Sequence, residues 1–488
     1  MSDPWDDLLA ERERRLVEAS AMGGAQRIER QHARGRLTAR ERIERLCDGQ
    51  SFVEYGALVG SAHPAGGASV PADGLVGGTA EIDGRAVVVM AEDFTTLGGS
   101  IGHGNHAKRV RLCRLADSER VPLVIILDGA GERATNALER YPYAPNDLQV
   151  LADLSGRVPV VSLVLGNSAG HGALSGVFAD FIVITTTAAM FTAGPPLVEA
   201  ALGMKVSAEE LGGGRMHATE SGVAHNVLAT EDEALETARR YLGYMPSHAG
   251  GAAPLDDGEH CTPRRLEDVL ELVPRDTRRS YDMRKLLAMV FDAESILELQ
   301  PLHGTSMITA LARLGGTPIL AVANQPTVMG GAITREAAEK AAHFLEVAGA
   351  FEMPVVFLAD NPGVMAGPDA ERSGILRAAA RMYRAQRGLR SRKLHVTVRK
   401  AFGFGSSLMA MNPFDRQTVT LALPGISLGG VPAFGGARAA GSSAEEENRM
   451  AGLQEAAWTP ADNGSYDRVI DPRELRNELL HALRLGER

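Results

Sequence analysis

Residues 160–172 read VVSLVLGNSAGHG. Aliphatic and β-branched side chains dominate the first half, the composition of a strand buried on both faces. The run then breaks into a glycine-rich turn and predicts a helix beyond it. A strand, turn and helix in this order leave the first N–H groups of the helix without intrahelical acceptors and pointing outward. Residues 394–406, LHVTVRKAFGFGS, follow the same pattern. Two such turns can hold two developing oxyanions with backbone amides alone, without a catalytic side chain.

Sliding the chain along itself shows that the two turns belong to a larger repeat. A displacement of 232 residues lays IDGRAVVVMAEDFTTLGG (82–99) over LGGTPILAVANQPTVMGG (314–331), and VPLVIILDGAG (121–131) over MPVVFLADNPG (353–363). A displacement of 234 lays GNSAGHG (166–172) over KAFGFGS (400–406). Agreement at nearly one offset over three segments predicts two copies of one α/β domain. The expected domains are 1–250 and 265–488, with the boundary in the Pro/Asp/Gly-rich stretch 246–264. Strand, turn, helix and strand alternate within each copy, which predicts a largely parallel sheet covered by helices.

A chain of 488 residues exceeds a single core, in keeping with two domains. The formal net charge of −10 argues against a nucleic-acid footprint and against a general attraction to anionic membranes, although local basic clusters can still meet a phosphorylated ligand. Cys47, Cys113 and Cys261 are far apart and have no companion ligands at zinc spacing, as expected in a reducing cytoplasm. The charged opening MSDPWDDLLAERERR and the lack of an 18-residue apolar run predict neither signal peptide nor membrane span, hence a cytoplasmic protein.

Residues 5–47 are expected to form two helices. Leu8, Leu9, Leu16 and Ala19 make an apolar stripe on the first, packed on the chain's own body or on a neighbouring subunit, and Thr38 with Glu41 makes a capping box at the second. The chain has no P-loop, and the glycines near GTPILAVAN precede the strand, unlike a dinucleotide fingerprint. Ser168 in GNSAG is one residue short of a nucleophile elbow. His103 and His106 in HGNH share a helical turn without a carboxylate at matching spacing, so they are expected at a helix entry or surface, with no metal site. What remains is a pair of glycine turns in each half: 128–133 (DGAGER) and 166–172, then 360–363 (DNPG) and 401–406. One such turn alone is explained by tight strand-to-helix geometry. Four in matched halves point to oxyanion binding.

These residues also carry a family resemblance. RIERQHARGRLTARERIERLCDGQSFVE, DFTTLGGS, AGPPLV, ELGGGRMHATESGVAH, QPLHG, ANQPTVMGGAIT, EAAEKAAHFLEVAGAFEMPVVFLADNPGVMAG and VIDPRE resemble the carboxyltransferase subunits of biotin-dependent acyl-CoA carboxylases of the propionyl-CoA and methylcrotonyl-CoA kinds. The similarity runs from about residue 8 to 485. It implies a duplicated crotonase-like α/β fold, each half a twisted sheet flanked by helices. It also implies a homo-hexamer whose active sites lie between the N-terminal half of one subunit and the C-terminal half of another. The implied reaction moves CO₂ from carboxybiotin to the α-carbon of an acyl-CoA through an enolate. By position, the amides of Gly170 and His171 would hold the thioester oxygen, and those of Phe404 and Gly405 the biotin ureido oxygen. Gly129, Ala130, Gly131 and Arg133 would border the CoA site, and Ser407 takes the place linked to acyl-chain selection. The nearest approach to a biotinylation motif, Met409-Ala410-Met411-Asn412, lacks the lysine, so biotin is expected on a partner biotin carboxylase or carrier subunit.

The departures from the family pattern are specific. The usual AGGA is Ala169-Gly170-His171-Gly172 here, and the usual GGA is Gly403-Phe404-Gly405. Glu132 replaces a small residue and Pro432 a glycine. An amide survives each side-chain change, but an imidazole or phenyl at a close-approach turn reshapes the cleft. Two rivals follow: an acyl-CoA decarboxylase using the same enolate stabilisation, and a non-catalytic scaffold within a carboxylase complex.

Overall fold

The computed structural model describes residues 4–60, 69–134, 136, 146–258, 261–431, 443, 445, 449, 452 and 454–485. Two compact units divide the chain, Met1–Gly251 and Ala252–Arg488. The first carries β1 (Val53–Glu54), β2 (Leu75–Ile82), β3 (Arg85–Glu92), β4 (Leu123–Gly129), β5 (Val160–Ala169), β6 (Phe181–Thr185), β7 (Ala189–Phe191) and β8 (Asn226–Leu228). The second carries β9 (Leu297–Leu299), β10 (Met307–Leu314), β11 (Thr317–Asn324), β12 (Val355–Asn361), β13 (Lys393–Phe402), β14 (Val419–Ala422), β15 (Ser427–Gly429) and β16 (Arg468–Val469). Sheet order is β1-β2-β3-β4-β5-β6-β8 in one and β9-β10-β11-β12-β13-β14-β16 in the other, with β7 paired to β5 and β15 to β13. Each sheet has helices packed against it, which is the duplicated crotonase-like architecture.

The expectation of a largely parallel sheet holds from β3 onward. Before that the sheet is antiparallel: β2 and β3 form a hairpin through Asp83 and Gly84, both at positive φ, and β10 and β11 do the same through Gly315 and Gly316. Two consecutive positive-φ residues make the turn whose twist matches a tight hairpin, so ID-G-R and L-G-G-T specify the reversal. From β3 the helix His103–Glu119 carries the chain back to start β4 in parallel. The same step in the second unit uses Arg335–Ala350. The central strands are buried along nearly their whole length, as their continuous aliphatic runs require.

The N-terminal segment forms three helices, not two: Pro4–Ser20, Ala25–His32 and Ala39–Leu46. The break falls at Gly23, where a Cβ would lie 1.9 Å from the Thr95 carbonyl oxygen, and at Gly24 with φ 87°. Thr38 and Glu41 form the expected capping box. Of the apolar stripe on the first helix only Ala19 is buried, whereas Trp5, Leu8, Leu9 and Val17 are exposed. Lys108 and Lys340 occupy equivalent buried places in the two units. Their ammonium groups are capped by the carbonyls of Ala72 and Leu75, and of Gln300 and His303.

Candidate functional site

The first turn sits at the carboxyl ends of β4 and β5. Asp128 closes β4, with its carboxylate accepting from Gln31 Nε2 at 2.9 Å and Arg42 Nη1 at 3.0 Å. Arg42 is itself buried and also grips Glu231. This explains Gly166: a Cβ there would lie 1.8 Å from the Asp128 carboxylate. Beyond Asp128, Gly129 is packed so that a Cβ would meet Glu92 Oε2 and Gly99 O, each at 2.6 Å. Gly131, at φ 81°, lies against the end of β5, where a Cβ would be 2.4 Å from the Ala169 carbonyl oxygen. The amide of Ala130 donates to Gly98 O, which fastens residues 129–131 to the turn Leu97–Gly99. The Arg133 side chain is turned to Asp73 (2.7 Å) and to the hydroxyl and carbonyl of Ser100, so it fixes this turn.

At the end of β5, Gly170 adopts φ 53°, ψ −117°, a conformation in which a side chain is strained, and the helix His171–Val177 begins at the next residue with no side-chain cap. The amide of Gly170 donates to Phe191 O at 2.9 Å, continuing the pairing of β5 with β7. It is therefore occupied. The donors left at this turn are those of His171 and Gly172, the first amides of the helix. In the second unit β13 ends at Phe402, Gly403 has φ 56°, and the helix Gly403–Leu408 likewise has no side-chain cap. The two strands have equal length and the two positive-φ glycines match at 170 and 403, so the structural displacement is 233, not 234. His171 and Phe404 are consequently equivalent, each following the turning glycine.

The surroundings of these two residues differ sharply. His171 Nε2 bonds Asp147 Oδ1 at 2.7 Å, and His106 Nδ1 meets the same oxygen at 3.0 Å. His106 Nε2 reaches Glu132 at 3.0 Å, and the His171 and His106 rings stand edge to face, 4.9 Å between centroids. Asp147 is fully buried at the first position of helix Asp147–Leu154, with Arg109 Nη1 at 3.9 Å. Burial would raise its pKa, but the bonds from the two histidines and the Arg109 charge hold it well below the usual carboxylate range. Burial opposes charge on His106, yet Asp147 and Glu132 lift its pKa above the ordinary value. Behind them Arg109, also fully buried, binds Glu92 at 2.5 Å and Asn105 Oδ1 at 2.9 Å. His106 is thus not a surface histidine. Its carboxylate partners come from residues 132 and 147, beyond the reach of spacing within HGNH.

Around Phe404 the surface is apolar. A groove of about 490 Å³ is lined by Leu376, Ala379, Tyr383, Phe404 and Leu408. Ser407 is on the same helix, where its carbonyl accepts from Gln386 Nε2, and it does not line the groove. Gly405 packs under the preceding turn, a Cβ there meeting Asn361 Oδ1 at 2.6 Å. Asp360, the counterpart of Asp128, is held by Arg399 Nε at 2.7 Å. Pro432 lies outside the described residues.

A second groove, of about 290 Å³, lies in the first unit between the helix Ala25–His32 and the turn Leu97–Gly99. Arg27, Arg30 and Arg34 line it together with Gln31, Phe94 and Thr95.

The carboxyl transferase domain family matches residues 30–486. This chain belongs to that family. It is 34% identical over 477 residues to the methylmalonyl-CoA decarboxylase subunit alpha of Veillonella parvula, covering 96% of this chain and 94% of that one. It is 33% identical over 489 residues to the methylmalonyl-CoA carboxyltransferase 12S subunit of Propionibacterium freudenreichii subsp. shermanii, covering 97% and 92%. Among solved structures, transcarboxylase 12S, a hexamer determined with methylmalonyl-CoA and methylmalonic acid bound, superposes with a TM-score of 0.93 at 31% identity, over 100% of this chain and 97% of that chain. Among the described residues no helix is long and apolar enough to cross a membrane.

Proposed function

We propose that this chain is the carboxyltransferase subunit of a biotin-dependent acyl-CoA carboxylase. It moves a carboxyl group from biotin, carried on a partner biotin carboxylase or carrier subunit, to the α-carbon of an acyl-CoA. The observation that carries the reading is the matched pair of positive-φ glycines, Gly170 and Gly403, each at the uncapped start of a helix and at the same place in two copies of one fold. The amides of His171 and Gly172 hold the thioester oxygen as the enolate develops. Those of Phe404 and Gly405 hold the ureido oxygen. Donors fixed in place by a strand end and a helix start do not reorganise as charge appears, which is the largest contribution such a site makes.

The groove beside Phe404 fits the tetrahydrothiophene ring of biotin, with amide donors at its edge for the ureido oxygen. When bound there, biotin supplies the carboxyl group and then the base that takes the α-proton. The three arginines beside the turn Leu97–Gly99 fit the phosphates of CoA, and the Ala130 to Gly98 bond places that groove next to residues 129–131. Oligomerisation follows the 12S relative, a hexamer in its crystal structure.

The test is co-purification from native cells with a biotin blot, followed by labelled bicarbonate, ATP and a panel of acyl-CoA substrates. Acyl-dependent fixation by the chain with its biotinylated partner is the expected result. Loss of the carboxyl group from malonyl-CoA or methylmalonyl-CoA, catalysed by the chain alone without biotin, overturns transfer in favour of decarboxylation. A partner that copurifies with no acyl-dependent turnover leaves a scaffold.

A further inference from the structure

We propose that His106, Asp147 and His171 form a site for a divalent transition-metal ion of the zinc class, set beside the first oxyanion turn. Their ligand atoms, one from each residue, all lie within 4.8 Å of one another. Two of the separations, from Asp147 Oδ1 to His106 Nδ1 and to His171 Nε2, are 3.0 and 2.7 Å. A tetrahedral ion with bonds of about 2.0–2.1 Å spaces its ligand atoms by about 3.4 Å. The two contacts to Asp147 would lengthen by about 0.4 and 0.7 Å, and the two histidine nitrogens, within 4.8 Å of each other, would settle to the same spacing. Two imidazoles and one carboxylate with an open fourth position is the ligand set of catalytic zinc, whereas closed structural sites use four protein ligands.

The second layer fits as well. A metal-bound histidine holds its tautomer by donating its other N–H to a carboxylate. Here His106 Nε2 meets Glu132 Oε2 at 3.0 Å, and His171 Nδ1 lies 3.9 Å from the same oxygen. Asp147 is fully buried, and its Oδ2 has no hydrogen-bond partner among the described residues. Charge points the same way. Among the described residues Glu92, Asp147 and Glu132 surround Arg109 and the two imidazoles, an acidic setting that suits a divalent cation. The fold itself does not require the cluster: at the positions equivalent to His106, Glu132 and His171 the second unit has Ala338, Val364 and Phe404.

The use of the ion, though not its binding, rests on the function proposed above. An ion held by His171 puts a Lewis acid beside the amides assigned to the thioester oxygen, where it adds to enolate stabilisation.

The experiment titrates the metal-stripped full chain with Zn²⁺, and in parallel with Co²⁺, in the absence of acyl-CoA. One ion per chain is expected, with Co²⁺ giving the visible absorption of a low-symmetry four-coordinate site. His106→Ala and Asp147→Asn abolish tight uptake. Glu132→Gln, a change at a half-exposed side chain, keeps the wild-type melting curve and weakens binding by about 10- to 100-fold. Absence of uptake by the wild-type chain overturns the site, as does uptake that all three variants retain. In either case the cluster is a hydrogen-bonded relay that holds no ion. Carboxyl transfer assayed on the same preparations separates the two proposals. Transfer without metal uptake removes the ion and leaves the transferase, and uptake without transfer does the reverse.

Discussion

The two turns share a backbone and almost nothing else. Behind the first stand Glu92, Arg109, Asp147, His106 and Glu132; behind the second the corresponding positions include Asn324, Ala341, Ala338 and Val364. One residue past the turning glycine is an imidazole tied into buried charge, the other a half-exposed phenyl beside an apolar groove. If, as proposed, main-chain amides hold the oxygen at each turn, the side chains around it are released to specialise. One fold therefore presents a charged niche and a greasy one from the same turn.

The largest effect expected from disturbing this contrast is on stability. Arg109→Ala strands Glu92 and Asp147 in the interior and should cost about 3–5 kcal/mol in urea unfolding. The double change Glu92→Asn with Arg109→Ala copies Asn324 and Ala341 of the second unit and should recover much of that loss. If the double variant is no better than the single, the second unit's solution does not transfer and the two halves are less alike than their backbones.

Next comes the amide itself. Proline is tolerated at the first position of a helix, so His171→Pro should fold while deleting one donor, with kcat falling about 10²- to 10³-fold. His171→Ala keeps the amide. Equal losses in the two variants would show that the imidazole, not the main chain, carries the effect. Smaller still is Phe404→Gly, which should leave folding intact and shift relative kcat/KM across an acyl-CoA panel by about tenfold. An unchanged panel would place Phe404 outside the working groove.

The smallest effect concerns a feature the halves share. Burial lowers the pKa of Lys108 to about 8 and of Lys340 to about 7. A lysine neutral in the fold but protonated when unfolded makes the unfolded state bind more protons between its folded value and the ordinary 10.5. Stability should therefore rise with pH above about 7, by up to about 1.4 kcal/mol per unit for each lysine, with the Lys340 contribution starting roughly one unit earlier. Unfolding midpoints of Lys340→Met across this range should show the slope reduced and its onset moved up to that of Lys108.

The duplicated α/β architecture was readable because buried strands need long aliphatic runs, and those runs recur at a fixed spacing. The hairpins that open each sheet were written in D-G and G-G. What escaped was set by contacts across the fold. Asp147 is far from His106 in sequence and joins it only because the helix capped by Asn146 lays its first residue, Asp147, against His103–Glu119. The Gly170 amide, expected to be a free donor, is taken by Phe191, a pairing that depends on where β7 lies beside β5. The one-residue slip between 233 and 234 is invisible to glycine patterns, yet it decides that His171 and Phe404 are counterparts.

The helix Pro4–Ser20 turns Trp5, Leu8, Leu9 and Val17 outward among its own charged side chains. A row of that kind is a handle for self-association. In the laboratory it means that concentration, detergent and affinity tags fused at that end are experimental variables. Deleting residues 4–20 should sharpen the sedimentation profile if the handle is adventitious, and dissolve the native assembly if it is a seam.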